Sequence, residues 1–251
     1  MEYILLLGEG EVFLILLFEI AAYLVMIAVN ALANILPLNG QTTGEISNKL
    51  EVLFTPAGYV FSIWGFIYLL LGVWLARQIP KRRRSLPIYR QTSILFIVSC
   101  ILNSLWIFAW HYEYFLLSVI IMIALLFILI FLYKSASEFD PEFLDIAPFS
   151  VYLGWISVAV IANISFYLTY IGWDGWGLKD SVWTYIMLAA ATTLALVFRI
   201  KNNDWVYPLV FVWAFIGIGV RNMENDPNVA FAAYFAAFFT AAGILLTRKK
   251  R

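Results

Sequence analysis

An all-α, polytopic transmembrane bundle of about eight spans is what this sequence predicts, on three observations. Of its 251 residues 63% are hydrophobic and only 13% charged, and the mean hydropathy is +0.88, outside the range of a soluble domain. Apolar stretches of span length recur along the chain, each able to cross a core about 30 Å thick at about 1.5 Å per helical residue. Basic residues crowd the alternate connections between those stretches.

The spans run over residues 12–36, 56–78, 91–110, 114–133, 148–170, 182–198, 205–220 and 229–246, with Pro, Asn, Asp and Gly at their ends. With the amino terminus cytoplasmic, the inner connections and tail hold Arg77, Lys81, Arg82, Arg83, Arg84, Arg90, Lys134, Arg199, Lys201 and 248–251, against Lys49, Lys179 and Arg221 outside. That asymmetry sets a cell-membrane, multi-pass topology with both termini cytoplasmic. The first stretch lacks a basic leader and a small-residue cleavage site, so it reads as a retained span. The "KRRR" run at 81–84 reads as a topology determinant beside anionic lipid. No connection is long enough for a solvated domain. The longest, 37–55, could fold over a bundle mouth.

Composition excludes several functions. Net charge is zero, so nothing favours nucleic acid. One Cys and one His, Cys100 and His111, build neither a disulfide framework nor a metal site, and no acid–base pair or nucleophile constellation marks a catalytic residue. Cys100 reads as a small buried thiol and His111 as an interface residue at an outer helix end rather than a proton relay or haem ligand. Glu19 is the only carboxylate well inside a span. It is either a functional intramembrane acid or, if the first helix starts late, an inner-interface residue.

The polar residues within spans fall on helix faces. Gly58, Ser62, Gly65 and Gly72 form a stripe on the second span beside Phe61, Trp64 and Tyr68, a pattern for close helix approach. Ser99, Asn103, Trp106 and Trp110 share a face of the third. Asn103 must point inward, because an unpartnered amide in lipid costs roughly 2–7 kcal/mol. It serves either as an interhelical bond or as a ligand donor, and the stacking surface of Trp106 favours the donor. Tyr152, Trp155, Ala159 and Asn163 lie near one face of the fifth span, while Asn30 and Asn34 lie one turn apart on the first, above Glu19 and Tyr23. Each face alone is accounted for by packing. Jointly they describe a polar-aromatic pocket for a flat ligand.

These faces carry a family pattern. Pro56, Trp64-Gly65, Tyr68 and Gly72, then "LNSLW" at 102–106 and "YLGWISVAVIAN" at 152–163, are similar in order and spacing to the motifs of the TspO/MBR family, the translocator and tryptophan-rich sensory proteins. The chain departs from that pattern at Thr55, Gly58 and Phe61-Ser62. The resemblance covers residues 12–170 as a five-helix core and leaves 171–251 as a three-helix extension, set off by "IGWDGWGLKD" and rich in Ala and Gly. It implies an integral membrane sensor or regulator that binds porphyrins or other tetrapyrroles, or similar hydrophobic small molecules, without a required cofactor, often as a homodimer. Its ligand site would comprise Trp64, Tyr68, Asn103, Trp106, Trp155, Asn163 and Asn34, closed by the 37–55 loop, with glycines bringing neighbouring helices together. Transport of such molecules is the alternative, and porphyrin photo-oxidation by a pocket tryptophan is a third reading.

Overall fold

The computed structural model describes residues 9–36 and 38–247. Ten α-helices are present among them and no strand: α1 (Glu9–Ile35), α2 (Thr43–Ser47), α3 (Ile63–Ala76), α4 (Lys81–Arg84), α5 (Pro87–His111), α6 (Phe115–Ser137), α7 (Phe143–Tyr170), α8 (Asp180–Asn202), α9 (Val206–Asn222) and α10 (Pro227–Leu246). Seven helical segments are long and apolar enough to cross a membrane, and α9 is a shorter apolar helix. The protein is a multi-pass membrane protein. The basic tail 248–251 lies outside the described residues.

Local chemistry explains the ends. Pro87 and Pro227 occupy the first turns of α5 and α10, where a missing N–H costs nothing. Asp226 caps α10 by accepting from the N–H groups of Asn228 and Val229. Asn203, in the left-handed region at φ 53°, terminates α8. Several boundaries depart from the sequence expectation by a few residues, and three of them bear on the site. The second span opens as a 3-10 turn, Gly58–Ser62, before becoming α-helical at Ile63. The fifth helix starts at Phe143, so Pro148 lies inside it, where its missing N–H gives up one bond of the ladder. The first helix starts at Glu9 rather than Val12.

Helix contacts group the chain into two compact units. The first comprises residues up to Ile46 with Trp64–Leu153, and in it α5 packs along both α6 and α1. At one end of this unit Asp145 accepts hydrogen bonds from Arg77 Nε at 2.8 Å, Arg83 Nη2 at 3.0 Å and the Tyr89 hydroxyl at 2.7 Å. Glu142 closes the cluster from the solvent side, accepting from Arg77 Nη2 at 2.7 Å.

The second unit comprises Ser47–Ile63 with Gly154 onward, and in it α10 packs on α9 and α8. Its core follows the membrane rule of small inside and large outside. On α10, Ala230, Ala233 and Ala237 are buried while Phe231, Phe235 and Phe238 are exposed to what would be lipid. A Cβ on Gly154 would meet the Tyr207 carbonyl oxygen and Val210 Cβ, each at 3.0 Å, and one on Gly217 would collide with Val60. The 47–63 segment is held by Asn222 Nδ2 donating to Leu53 O at 2.9 Å and Trp213 Nε1 donating to Val60 O at 3.1 Å.

The glycine stripe of the second span is corrected by this packing. Nothing stands within 4 Å of a Cβ built on Gly58 or Gly65. Only Gly72 makes a close approach, where the Tyr23 hydroxyl sits 2.6 Å from the Cβ position. The 3-10 opening breaks the helical register that aligned Gly58 and Ser62 with the later glycines. The glycines that do admit a neighbour closely are mostly in the second unit.

Candidate functional site

In the first unit α3 and α5 present their aromatic residues to each other. Trp64 and Tyr68, one turn apart on α3, stack with centroids 5.8 Å apart. Trp64 in turn lies 6.4 Å from Trp106 at an interplanar angle of 30°, and Trp106 stacks on Trp110 at 5.8 Å and 18°. Tyr152 meets Trp64 edge-on at 6.0 Å. The order Tyr68, Trp64, Trp106, Trp110 is therefore a ladder of roughly parallel rings. Spacings of this kind are favourable for aromatic pairs. Trp106 and Trp110 are buried, whereas Trp64 and Tyr68 are half-buried and form its accessible end. The Tyr68 hydroxyl is buried with no hydrogen-bond partner among the described residues, which leaves it able to meet a polar group of a ligand.

A polar chain runs beside the ladder. Asn30 Nδ2 donates to Asn103 Oδ1 at 2.8 Å, and Asn103 Nδ2 donates to the Tyr152 hydroxyl at 2.9 Å. Asn103 is fully buried, and both ends of its amide are engaged within the protein. It thus joins α1, α5 and α7. Asn34 stands apart: it is exposed, and its amide donates to the Asn30 carbonyl of its own helix at 2.9 Å.

The 37–55 loop divides between the units. Residues 38–43 are clamped to the C-terminal end of α5, where His111 is fully buried, its Nε2 2.9 Å from Thr43 Oγ1 and its Nδ1 3.2 Å from the Leu38 carbonyl. His111 therefore clasps the loop to the end of α5. Trp110 Nε1 donates to the Thr43 carbonyl at 3.3 Å, so this part of the loop covers the Trp110 end of the ladder. Thr42 and Glu45 form a reciprocal capping box at the start of α2. The N–H and hydroxyl of Thr42 hold the Glu45 carboxyl below the usual carboxylate range.

In the second unit Trp155 and Asn163 are buried two turns apart on α7, and Phe61 meets Trp155 edge-on at 5.9 Å. Of the residues expected at the site, the first unit brings together Trp64, Tyr68, Asn103 and Trp106.

Sequence reasoning missed two features. Tyr23 reaches across to donate to the Tyr68 carbonyl at 2.8 Å, and only the proximity of Gly72 makes room for it. Glu19 is buried against the side chain of Gln78. The earlier start of α1 places Glu19 ten residues into the helix, or about 15 Å along it. Glu19 is thus buried within the protein beside Gln78, which follows the C-terminal end of α3. Among the described residues no group of His, Cys, Asp and Glu could hold a metal ion.

What this arrangement offers chemically is a π-stacking surface with a half-buried edge, one unpartnered phenol, and an adjoining amide chain that fixes three helices. The sequence model of one protein family, TSPO-like protein, matches residues 16–246 and so runs through the last three helices. No curated protein and no solved structure matches the chain.

Proposed function

The chain belongs to the TSPO-like protein family, and from that premise we propose that it is an integral membrane sensor or regulator that binds porphyrins, other tetrapyrroles or similar flat hydrophobic molecules. The observation that supports this reading is the ring ladder from Tyr68 to Trp110. A flat aromatic ligand gains most where parallel rings already present a face, and an enclosing helical bundle removes it from water and lipid. Trp64 and Tyr68 supply the accessible stacking surface, and Trp106 backs it. By family position Trp155 and Asn163 are proposed as further ligand residues, and Asn103 supports the ladder through the amide chain. Cell-membrane location, cytoplasmic termini and a homodimer complete the proposal.

Porphyrin added to the detergent-purified protein is expected to quench tryptophan fluorescence saturably, and only in part, since ten tryptophans contribute. Trp64→Phe and Trp155→Phe should each weaken binding by about three- to tenfold, the loss of one favourable aromatic contact. Trp205→Phe, at an exposed residue next to α9, should leave it unchanged. Equal losses in all three variants would place the ligand elsewhere.

Transport is the second reading, and buried Glu19 is the observation that favours it, because transport pathways place ionisable groups within the bundle. Porphyrin uptake into liposomes that is lost in Glu19→Gln would establish transport. Quenching without uptake leaves sensing.

The topology is tested by cysteines introduced into a Cys100→Ser background. Those at Lys49 and Lys179, both exposed, are expected to react with an impermeant reagent added to intact cells, and one at Arg83 only after permeabilisation. Outside labelling at Arg83 would invert the orientation.

A further inference from the structure

A cavity within the second unit shares no lining residue with the ring ladder. It has a volume of about 250 Å³ and is lined by the 51–54 segment, the C-terminal half of α7, Trp173 and the start of α8. That is below the roughly 300 Å³ at which drug-sized pockets begin, so it admits a compact group and no tetrapyrrole.

Its chemistry is one-sided. Two carboxylates line it, Glu51 and Asp180, and no basic side chain does. The hydroxyls on its wall already direct their protons to backbone carbonyls: Ser165 donates to the Ile161 carbonyl at 2.8 Å, Thr169 to Ser165 O at 3.0 Å and Thr184 to Asp180 O at 2.8 Å. They therefore turn lone pairs, not donors, toward an occupant. Arg221, within electrostatic range of Glu51, lies outside the lining and donates to Asn48 at 2.7 Å.

Two indoles complete the wall, and they are held in place by a strained turn. Trp173, Trp176 and Trp183 form a mutual cluster with centroids 5.2–5.6 Å apart. Trp176 sits in the left-handed region at φ 54°, unusual for a bulky residue, with its N–H taken by Asp174 Oδ1 at 3.0 Å. Trp183 Nε1 donates to the Gly175 carbonyl at 2.8 Å. A surface anchor accounts for exposed Trp176. It does not account for Trp173 and Trp183 lining a cavity with two carboxylates.

Aromatic rings and carboxylates together, with no basic side chain in the lining and Arg221 acting on Glu51 only from outside it, are surroundings that hold an organic cation through ring quadrupole and charge. We propose that this cavity binds a quaternary or similarly bulky alkylammonium group, either as a free small cation or as the headgroup of a lipid. The apolar wall from Leu53, Leu168 and Met187 takes the methyl groups, and Glu51 and Asp180 supply the counter-charge.

Equilibrium dialysis of the full chain in maltoside detergent tests this, with labelled choline as the free cation and dihexanoylphosphatidylcholine, below its micelle concentration, as the headgroup. Saturable binding of at least one is expected. The uncharged isostere 3,3-dimethylbutanol should fail to displace it. Glu51→Gln and Asp180→Asn, both at exposed positions that tolerate a carboxamide, should each weaken binding by about three- to tenfold, the range of a cation's contribution at a partly exposed site. Choline binding assigns a free cation, and binding of the lipid alone, lost in the same variants, assigns the headgroup. Binding of neither probe, equal displacement by the neutral isostere, or full retention in the double variant would overturn the site. Porphyrin quenching through the ring ladder is expected to persist in both variants, so the two proposals fail separately.

Discussion

Asp145→Ala is expected to destabilise the protein by about 3 kcal/mol, the scale of breaking a buried ion pair from one side. The Asp145 side chain is 4% exposed, and those of Arg77 and Arg83 are 18% and 26% exposed. Removing the carboxylate takes the buried acceptor from two partly exposed guanidinium groups, which keep the exposed Glu142 as carboxylate acceptor, and takes the acceptor from the Tyr89 hydroxyl. Asp145→Asn, which keeps one acceptor oxygen, should lose less, and Glu142→Gln less still, because Glu142 is solvent-exposed and its pairs are screened. Thermal melting of the three variants in one detergent orders them. A ranking with Glu142→Gln at the bottom would place the weight of the cluster on its outer face. The acid dependence has a definite sign. Hydrogen bonds from Arg77 and then Arg83 hold the Glu142 carboxyl below the usual carboxylate range. Its stabilisation is thus fully present above about pH 4.3, the unperturbed value, and is lost as pH falls through the depressed one. The stability difference between the wild type and Glu142→Gln should shrink correspondingly in acid.

Asn103→Ala is expected to cost about 1–3 kcal/mol, because it leaves two buried partners behind. Asn30 Nδ2 loses its interhelical acceptor, although it keeps a bond to the Met26 carbonyl at 2.9 Å, and the Tyr152 hydroxyl loses its donor. The measured value should exceed the roughly 0.6 kcal/mol average for interhelical bonds within membranes, since two are removed. Melting of the apo protein and porphyrin titration on the same preparation separate the roles. A lower melting temperature with affinity within about threefold of wild type marks a scaffold amide. Unchanged melting with affinity down by about tenfold would make Asn103 a direct ligand donor, as its neighbour Trp106 suggested from sequence alone.

Length and hydropathy by themselves determined the class of this protein, because a bilayer of fixed thickness demands apolar helices of a minimum length and satisfies their backbone only internally. Helical periodicity also determined that Trp64, Tyr68, Asn103 and Trp106 lie on inward faces, since those positions repeat at 3.6 residues on α3 and α5. The identity of their partners was not legible. Gly58 and Gly65 carry the same sequence signal as Gly72, yet only Gly72 meets a neighbour, because the neighbour is Tyr23, forty-nine positions away on another helix. Asn34 and Asn30 share the same helix side within one turn, but only Asn30 reaches Asn103. His111 is at a helix end by sequence, but its partners Leu38 and Thr43 come from a turn about seventy positions earlier. Glu19 was either deep or peripheral depending on whether the helix began at Val12 or nearer Glu19, and its burial beside Gln78 came from another segment. The cavity of the second unit required the 51–54 segment to meet α7 and α8 more than a hundred positions later. In each case a periodic pattern fixes the direction in which a side chain leaves its own helix, while contact, burial and hydrogen-bond partner depend on what a distant segment brings to that point, and this only the tertiary structure decided.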